Sequence, residues 1–235
     1  MLAFRRLYKR LKNETNSDKM HLSLLFSTLT YFSPEFIQKI AKDMNFSEYS
    51  LNEINGLRYL YITYQNNTFV AFRGTEVSRW SNWRRILNFL PKRTLRNRKA
   101  HRGFIFAFDD CRQVLSTLIS NKKDVIFCGH SFGGSMALLA AEYWDATAIT
   151  FAAPKVFLNE KVYDTIKYQG YRIIGDFIPH LPFSFFFFVW SRAKPDYWIS
   201  TNTQFYINFL GYHRMGTYID ILLENLDERS GIKEG

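Results

Sequence analysis

The run Gly129-His130-Ser131-Phe132-Gly133 constrains this chain more than any other five residues, because of what stands on either side of it. Residues 124–128 (DVIFC) form a short apolar run with the character of a strand. Residues 133–144 (GGSMALLAAEYW) are Ala-rich and predict a helix. A strand that turns straight into a helix must reverse sharply. Glycines two positions either side of Ser131 let neighbouring backbone approach without a Cβ clash. The same turn raises the Ser131 hydroxyl at a helix N-terminus, where the dipole favours a developing negative charge. G-x-S-x-G in this setting reads as a nucleophile, and a glycine-rich turn without chemistry is the weaker alternative.

The rest of the chain supplies a scaffold for such a turn. Residues 18–31 and a stretch from Ser33 or Pro34 to Met44 predict helices. Residues 57–64 and 68–72 predict a hairpin about Asn66-Asn67. A helix is expected over residues 102–119, strands over 146–151 and 171–174 with a helix near 161–167 between them, a strand at 197–200 and a closing helix at 216–225. Strands alternating with helices imply an α/β fold with a mainly parallel sheet covered on both faces. No repeat or low-complexity linker interrupts the pattern, so a single domain over residues 1–235 is expected.

Serine needs a base, and the base an acid to orient it. In folds with this nucleophile turn, the order along the chain is Ser, then Asp or Glu, then His. Only His180 and His213 lie downstream of Ser131. Asp176 follows the strand at 171–174 directly, at a carboxyl edge where open α/β sheets gather their active-site loops. His180 sits between Pro179 and Pro182, too close to Asp176 in the chain to serve as its base. His213, on a Gly-containing loop ahead of the last helix, is the stronger candidate.

Charge is concentrated. Residues 77–108 hold nine Lys/Arg and no acid, and residues 1–13 hold five and no acid, within an overall net charge of +10. Such surfaces favour anionic partners, a lipid surface or a nucleic acid. Phe4, Leu7, Tyr8 and Leu11 recur at helical spacing among the basic residues of 1–12, so this helix either lies on a membrane or packs its stripe on the domain. No apolar run reaches the roughly 18 residues of a membrane span. The first dozen residues lack the apolar core and cleavage site of a secretory signal, so the expected location is cytoplasmic or peripheral on a membrane, with signal-independent export left open. Cys111 and Cys128 are read as buried, reduced thiols.

These motifs together resemble the class 3 lipases, the family of the fungal triacylglycerol lipases. Ala71-Phe72-Arg73-Gly74-Thr75 is similar to that family's strand ending in F-R-G-S/T, and Ser81-Asn82-Trp83 to the start of its lid helix. His101-Arg102-Gly103-Phe104 matches H-x-G-F, and residues 129–134 (GHSFGG) match the nucleophile turn. Residues 150–154 (TFAAP) resemble T-F-G-A-P with Ala152 in the glycine's place, and residues 175–182 (GDFIPHLP) resemble the acid-bearing loop. Residues 196–199 (DYWI) and 213–218 (HRMGTY) complete the order. The resemblance implies an α/β-hydrolase fold with a helical lid. Ser131 would be the nucleophile, His213 the base and Asp176 the orienting acid. The backbone N–H groups of Phe132 and Thr75, with the Thr75 hydroxyl, would hold the oxyanion. His180 would pack or hydrogen-bond near Asp176 without a catalytic part.

The lid region of that family falls here on the basic segment, residues 77–100. Trp80, Trp83, Ile86, Leu87 and Leu90 fall near one helical face with Arg79, Arg84 and Arg85 around it, the pattern of a lid that turns to a lipid interface. A static helix covering the core is the alternative. Phe183 and residues 185–188 either line an acyl pocket or belong to the core. The expectation is a serine carboxylic-ester hydrolase acting on acylglycerol or phospholipid esters at an anionic interface. An esterase for short soluble esters and an inactive lipid-binding protein are the alternatives. A nucleic-acid partner is not expected, since lipid electrostatics accounts for the same residues. Neither a metal nor a cofactor is expected, because phosphate loops and metal-ligand clusters are missing from the sequence.

Overall fold

The computed structural model describes residues 1–74, 88, 90–182, 189–191, 196–199, 211–227 and 232–234. Among them an eight-stranded sheet runs in the order β1-β2-β3-β6-β7-β8-β9-β10. β3 (Asn67–Phe72), β6 (Ile126–His130), β7 (Thr147–Phe151), β8 (Lys167–Ile173) and β9 (Asp196–Ile199) are parallel neighbours. β1 (Glu48–Ile54) and β2 (Leu57–Tyr64) extend one side as antiparallel hairpin arms, and β10 (Ile232–Glu234) pairs antiparallel with β9.

Side-chain alternation along the strands sorts the core into two faces. Phe69, Ala71, Ile126 and Cys128 point to one cluster, with α1 (Leu2–Lys12), α2 (Lys19–Leu29), α3 (Pro34–Asp43) and α6 (Met215–Asp227). Val70, Phe72 and Phe127 point to the other, with α4 (Arg102–Ile119) and α5 (Phe132–Trp144). Every residue of β6 is buried, as a central strand covered on both faces requires. Local chemistry sets the helix starts. Asp18 accepts from the Met20 N–H at 3.0 Å, and Ser33 precedes Pro34 at the first turn of α3.

Several expectations shift. The β2–β3 turn centres on Gln65 and Asn66, both at positive φ (47° and 59°), one residue before the expected Asn66-Asn67. Asn67 instead pairs with Tyr64 and donates its side chain to the Gln65 carbonyl at 2.8 Å. β1 was not expected. Its Asn55-Gly56 turn, with φ of 49° and 78°, is a strong hairpin signal, but the strand is a polar edge without clear alternation. Residues 160–165 form a 3₁₀ turn rather than a helix reaching Lys167, because β8 already pairs Lys167 with Thr147. Residues 91–101 of the basic segment fold as a small hairpin, β4 (Pro91–Arg93) and β5 (Lys99–His101), whose Lys/Arg content hid its strands.

For α1 the structure selects packing. Phe4, Leu7 and Leu11 are buried in the first cluster against α2 and α6, while Arg5, Arg6, Lys9, Arg10 and Lys12 face outward. Arg6 pairs with Asp220 of α6 and Lys12 with Asp43 of α3. No helix among the described residues is long and apolar enough to cross a membrane. Leu7 is fully buried, so Leu7→Ala is expected to cost about 2–5 kcal/mol, whereas exposed Arg5→Ala is expected to cost less than about 0.5. Urea denaturation of both variants checks this, and equal midpoints would contradict the packed placement of α1.

Candidate active site

β6 ends at His130, and the chain enters α5 at Phe132. Ser131 bridges them with φ 57° and ψ −128°, a conformation that L-residues adopt only under constraint. Its N–H donates to the Phe151 carbonyl at 2.9 Å, and its own carbonyl accepts from the Gly134 N–H at 2.9 Å. A Cβ on Gly133 would stand 2.2 Å from the Phe72 carbonyl oxygen, and one on Gly129 would stand 2.3 Å from the Gly133 backbone. Backbone packs on backbone here, so neither position has room for a side chain. The Phe132 N–H lies in the first turn of α5, where amides have no partner within the helix.

Ser131 Oγ lies 2.7 Å from His213 Nε2. On the far side of that ring, Nδ1 is 2.9 Å from Asp176 Oδ2 and 3.1 Å from Oδ1. If Nδ1 carries the proton and donates to the carboxylate, Nε2 is left as an acceptor for the serine hydroxyl. Asp176 is 1% exposed, and burial of a carboxylate is tolerable only when its oxygens are occupied. They are: the Tyr218 hydroxyl donates to Oδ2 at 2.8 Å and the Ile178 N–H to Oδ1 at 3.0 Å. The Tyr218 oxygen in turn accepts from the Ile173 N–H at 3.2 Å. Its hydroxyl is pushed well above the ordinary range by burial, with Asp176 acting in the same direction, so it remains a donor.

Ser131, Asp176, His213 and Phe132 are therefore brought to one place. Thr75, Trp80, Trp83, Ile86 and Leu87 lie outside the described residues, as do Phe183 and residues 185–188. His180 packs against Trp198, with ring centroids 5.7 Å apart. Beside it, the buried Arg172 donates to the Pro179 carbonyl at 3.0 Å. Burial raises both cysteine thiols to about 12, so neither is a thiolate near neutral pH.

Sequence reasoning missed four residues. Tyr218 was noted only as part of a motif; its position on the first turns of α6, after His213, was the available signal. Arg172, an Arg inside a buried strand, was a second. Tyr31 and His130 were not singled out. Tyr31 Oη lies 3.0 Å from His130 Nδ1 and accepts from the Gly74 N–H at 3.0 Å. The His130 ring lies against that of His213, centroids 4.8 Å apart. Burial holds His130 well below its ordinary value, and neighbouring His213 adds to the effect while the His213 backbone opposes it.

With this geometry in view, comparison with known proteins gives a consistent result. The family model for Lipase (class 3) matches residues 69–186. A lipase of Rhizomucor miehei is 29% identical over 161 residues, 59% of this chain and 43% of the relative, so less than half of that protein's length is matched. Among solved structures, a fungal lipase–inhibitor complex superposes with a TM-score of 0.65 at 20% identity, covering 83% of this chain and 82% of its own. A mono- and diacylglycerol lipase from Aspergillus oryzae gives a TM-score of 0.61 at 19% identity, covering 81% and 83%. At these identities the structures establish the α/β-hydrolase fold.

The buried histidines set a pH dependence. His130 and His21 are both held below their ordinary value of 6.5 by burial. The unfolded chain therefore takes up protons first as pH falls. Their contribution to stability is fully present above about pH 6.5 and is lost below it, by up to about 1.4 kcal/mol per pH unit for each group. Glu142, raised by burial, acts oppositely and favours the folded state as pH falls toward its ordinary range. Urea midpoints at pH 5.5 and 7.5 are expected to show a loss on acidification that shrinks in His130→Gln; an unchanged slope in that variant would contradict the assignment.

Proposed function

The chain belongs to the class 3 lipase family, and from that premise we propose that it hydrolyses carboxylic esters of lipids through an acyl-enzyme on Ser131. One observation carries the reading: the continuous relay from Ser131 Oγ to His213 at 2.7 Å and from His213 to buried Asp176 at 2.9 Å, built on a strained strand-to-helix turn.

The chemistry follows from those positions. Ser131 Oγ attacks the ester carbonyl as its proton passes to His213 Nε2. Asp176, fixed by Tyr218 and Ile178, orients the ring and stabilises the imidazolium. The Phe132 N–H donates a hydrogen bond to the oxyanion, and by family resemblance the Thr75 N–H and hydroxyl complete that hole. Imidazolium then protonates the leaving alcohol. Water, deprotonated by the same nitrogen, releases the acid and restores the serine.

The substrate proposed is a lipid ester, acylglycerol or phospholipid, met at an anionic interface by a protein peripheral to the membrane. Support comes from the basic segment, of which Arg93, Arg96, Arg98 and Lys99 are exposed, and from the outward basic face of α1. Exposed apolar side chains include Leu90, Val189 and Ile174, and Ile174 stands two residues ahead of Asp176. Basic residues close to an anionic surface contribute about 1 kcal/mol each. The lid expected in the basic segment, ahead of the β4–β5 hairpin, would cover the site in water and turn its apolar face to lipid.

Hydrolysis of p-nitrophenyl esters of increasing chain length, with and without anionic phospholipid vesicles, tests the proposal. Turnover is expected to rise with vesicles and to fall by at least about 10³ in Ser131→Ala. Equal, negligible rates in both proteins would overturn the hydrolase reading. Full activity on short soluble esters without vesicle stimulation would overturn the lipid interface instead.

A further inference from the structure

The glycine ahead of the expected oxyanion residue and the histidine ahead of the nucleophile meet at one phenol. Tyr31 follows α2, on a different part of the chain from both. Its oxygen accepts from the Gly74 N–H at 3.0 Å and lies 3.0 Å from His130 Nδ1. If Nδ1 were protonated, two N–H groups would donate to one phenol oxygen and the phenol's own proton would have no acceptor among the described residues. The arrangement that pairs the Gly74 N–H, the phenol and His130 Nδ1 has Gly74 donating to Tyr31 and Tyr31 donating to His130 Nδ1. His130 is then the neutral tautomer with its proton on Nε2.

That tautomer matters because of what faces it. The His213 ring lies 4.8 Å from His130 and the Tyr218 ring 5.8 Å, while the Arg73 guanidinium lies over the Tyr31 ring at 5.4 Å. A neutral His130 lets His213 take up the serine proton without a second cation against it. Steric fit adds a positional constraint. A Cβ on Gly74 would fall 2.2 Å from Tyr31 Oη, 2.7 Å from the His130 carbonyl oxygen and 3.3 Å from Ser131 Cβ. The backbone at residue 74 is therefore wedged between the phenol and the nucleophile turn, immediately ahead of Thr75.

We propose that Tyr31 is a positioning residue for ester hydrolysis: its hydroxyl registers the oxyanion segment against the nucleophile turn and holds His130 in the Nε2–H tautomer. This inference rests on the hydrolase reading of the site, and Tyr31 acts in it through Gly74 and His130.

Tyr31→Phe in the full chain is the test, since it removes one oxygen and keeps the ring. Turnover of a soluble p-nitrophenyl ester is expected to fall about 10–100-fold with KM within about twofold, because placement in the transition state is disturbed, while the melting temperature drops by a few degrees as the Gly74 N–H and His130 Nδ1 lose their partner. In the wild type, ¹⁵N spectra of His130 are expected to show an unprotonated Nδ1 and a protonated Nε2, a pattern lost in Tyr31→Phe. Wild-type turnover in Tyr31→Phe, a change in KM as large as that in kcat, or a protonated Nδ1 in the wild type would each overturn the proposal. A wild-type protein without turnover would instead overturn the hydrolase reading, and the nitrogen spectrum would still decide the tautomer, including where Tyr31→Phe does not fold.

Discussion

The backbone of Ser131 sits at φ 57° and ψ −128°, and everything else at the site is arranged around holding it there. A residue in such a conformation costs about 1–3 kcal/mol and persists only when its surroundings over-determine it. Here they do so with backbone. The Phe151 carbonyl receives the Ser131 N–H, Gly134 donates to the Ser131 carbonyl, and Gly133 lies directly on the Phe72 carbonyl. Those carbonyls belong to β3 and β7, the strands on either side of β6. The strain is thus borne by the buried centre of the sheet, the least deformable part of the fold. Its result is a hydroxyl presented to His213 at the sheet's carboxyl edge and a helix amide beside it.

Strand alternation then distributes the supporting side chains. One residue before the turn, His130 falls on the face occupied by α2 and α6, which places it against His213 and within reach of Tyr31. Asp176 is held by three donors, one of them the Tyr218 hydroxyl from α6. Arg6 and the buried stripe of α1 brace α6 from outside. The N-terminal helix is in this way connected to the acid of the site through two packing layers. At the end of β7, Ala152 stands at φ 55° and donates to the Tyr171 carbonyl at 2.9 Å. The left-handed bend expected of a glycine is thus kept with alanine, at a cost of about 1–2 kcal/mol.

Much of this was legible in the sequence, for reasons that differ by residue. Ser131 announced itself because the turn admits only glycines two positions away and because an apolar strand and an Ala-rich helix flank it. Asp176 and His213 followed from chain order and from the end of a strand. The helices α2 and α3 were written in their caps, Asp18 and Ser33-Pro34. Other features carried no one-dimensional signal. Tyr31 meets His130 across a sequence separation of 99 residues, and only the pairing of α2 with the sheet creates that contact. The α1 stripe was equally compatible with a membrane or with the domain, because an amphipathic helix does not name its partner. β1 and the basic hairpin were obscured by polar residues, which edge strands tolerate on both faces.

The central claim is that Ser131 is an activated nucleophile, and chemical labelling addresses it without any assumption about substrate. Treatment with an alkyl fluorophosphonate, followed by intact mass and peptide mapping, should give one adduct per chain, located on Ser131, and none in His213→Ala. No adduct, or an adduct on another residue, would contradict the account.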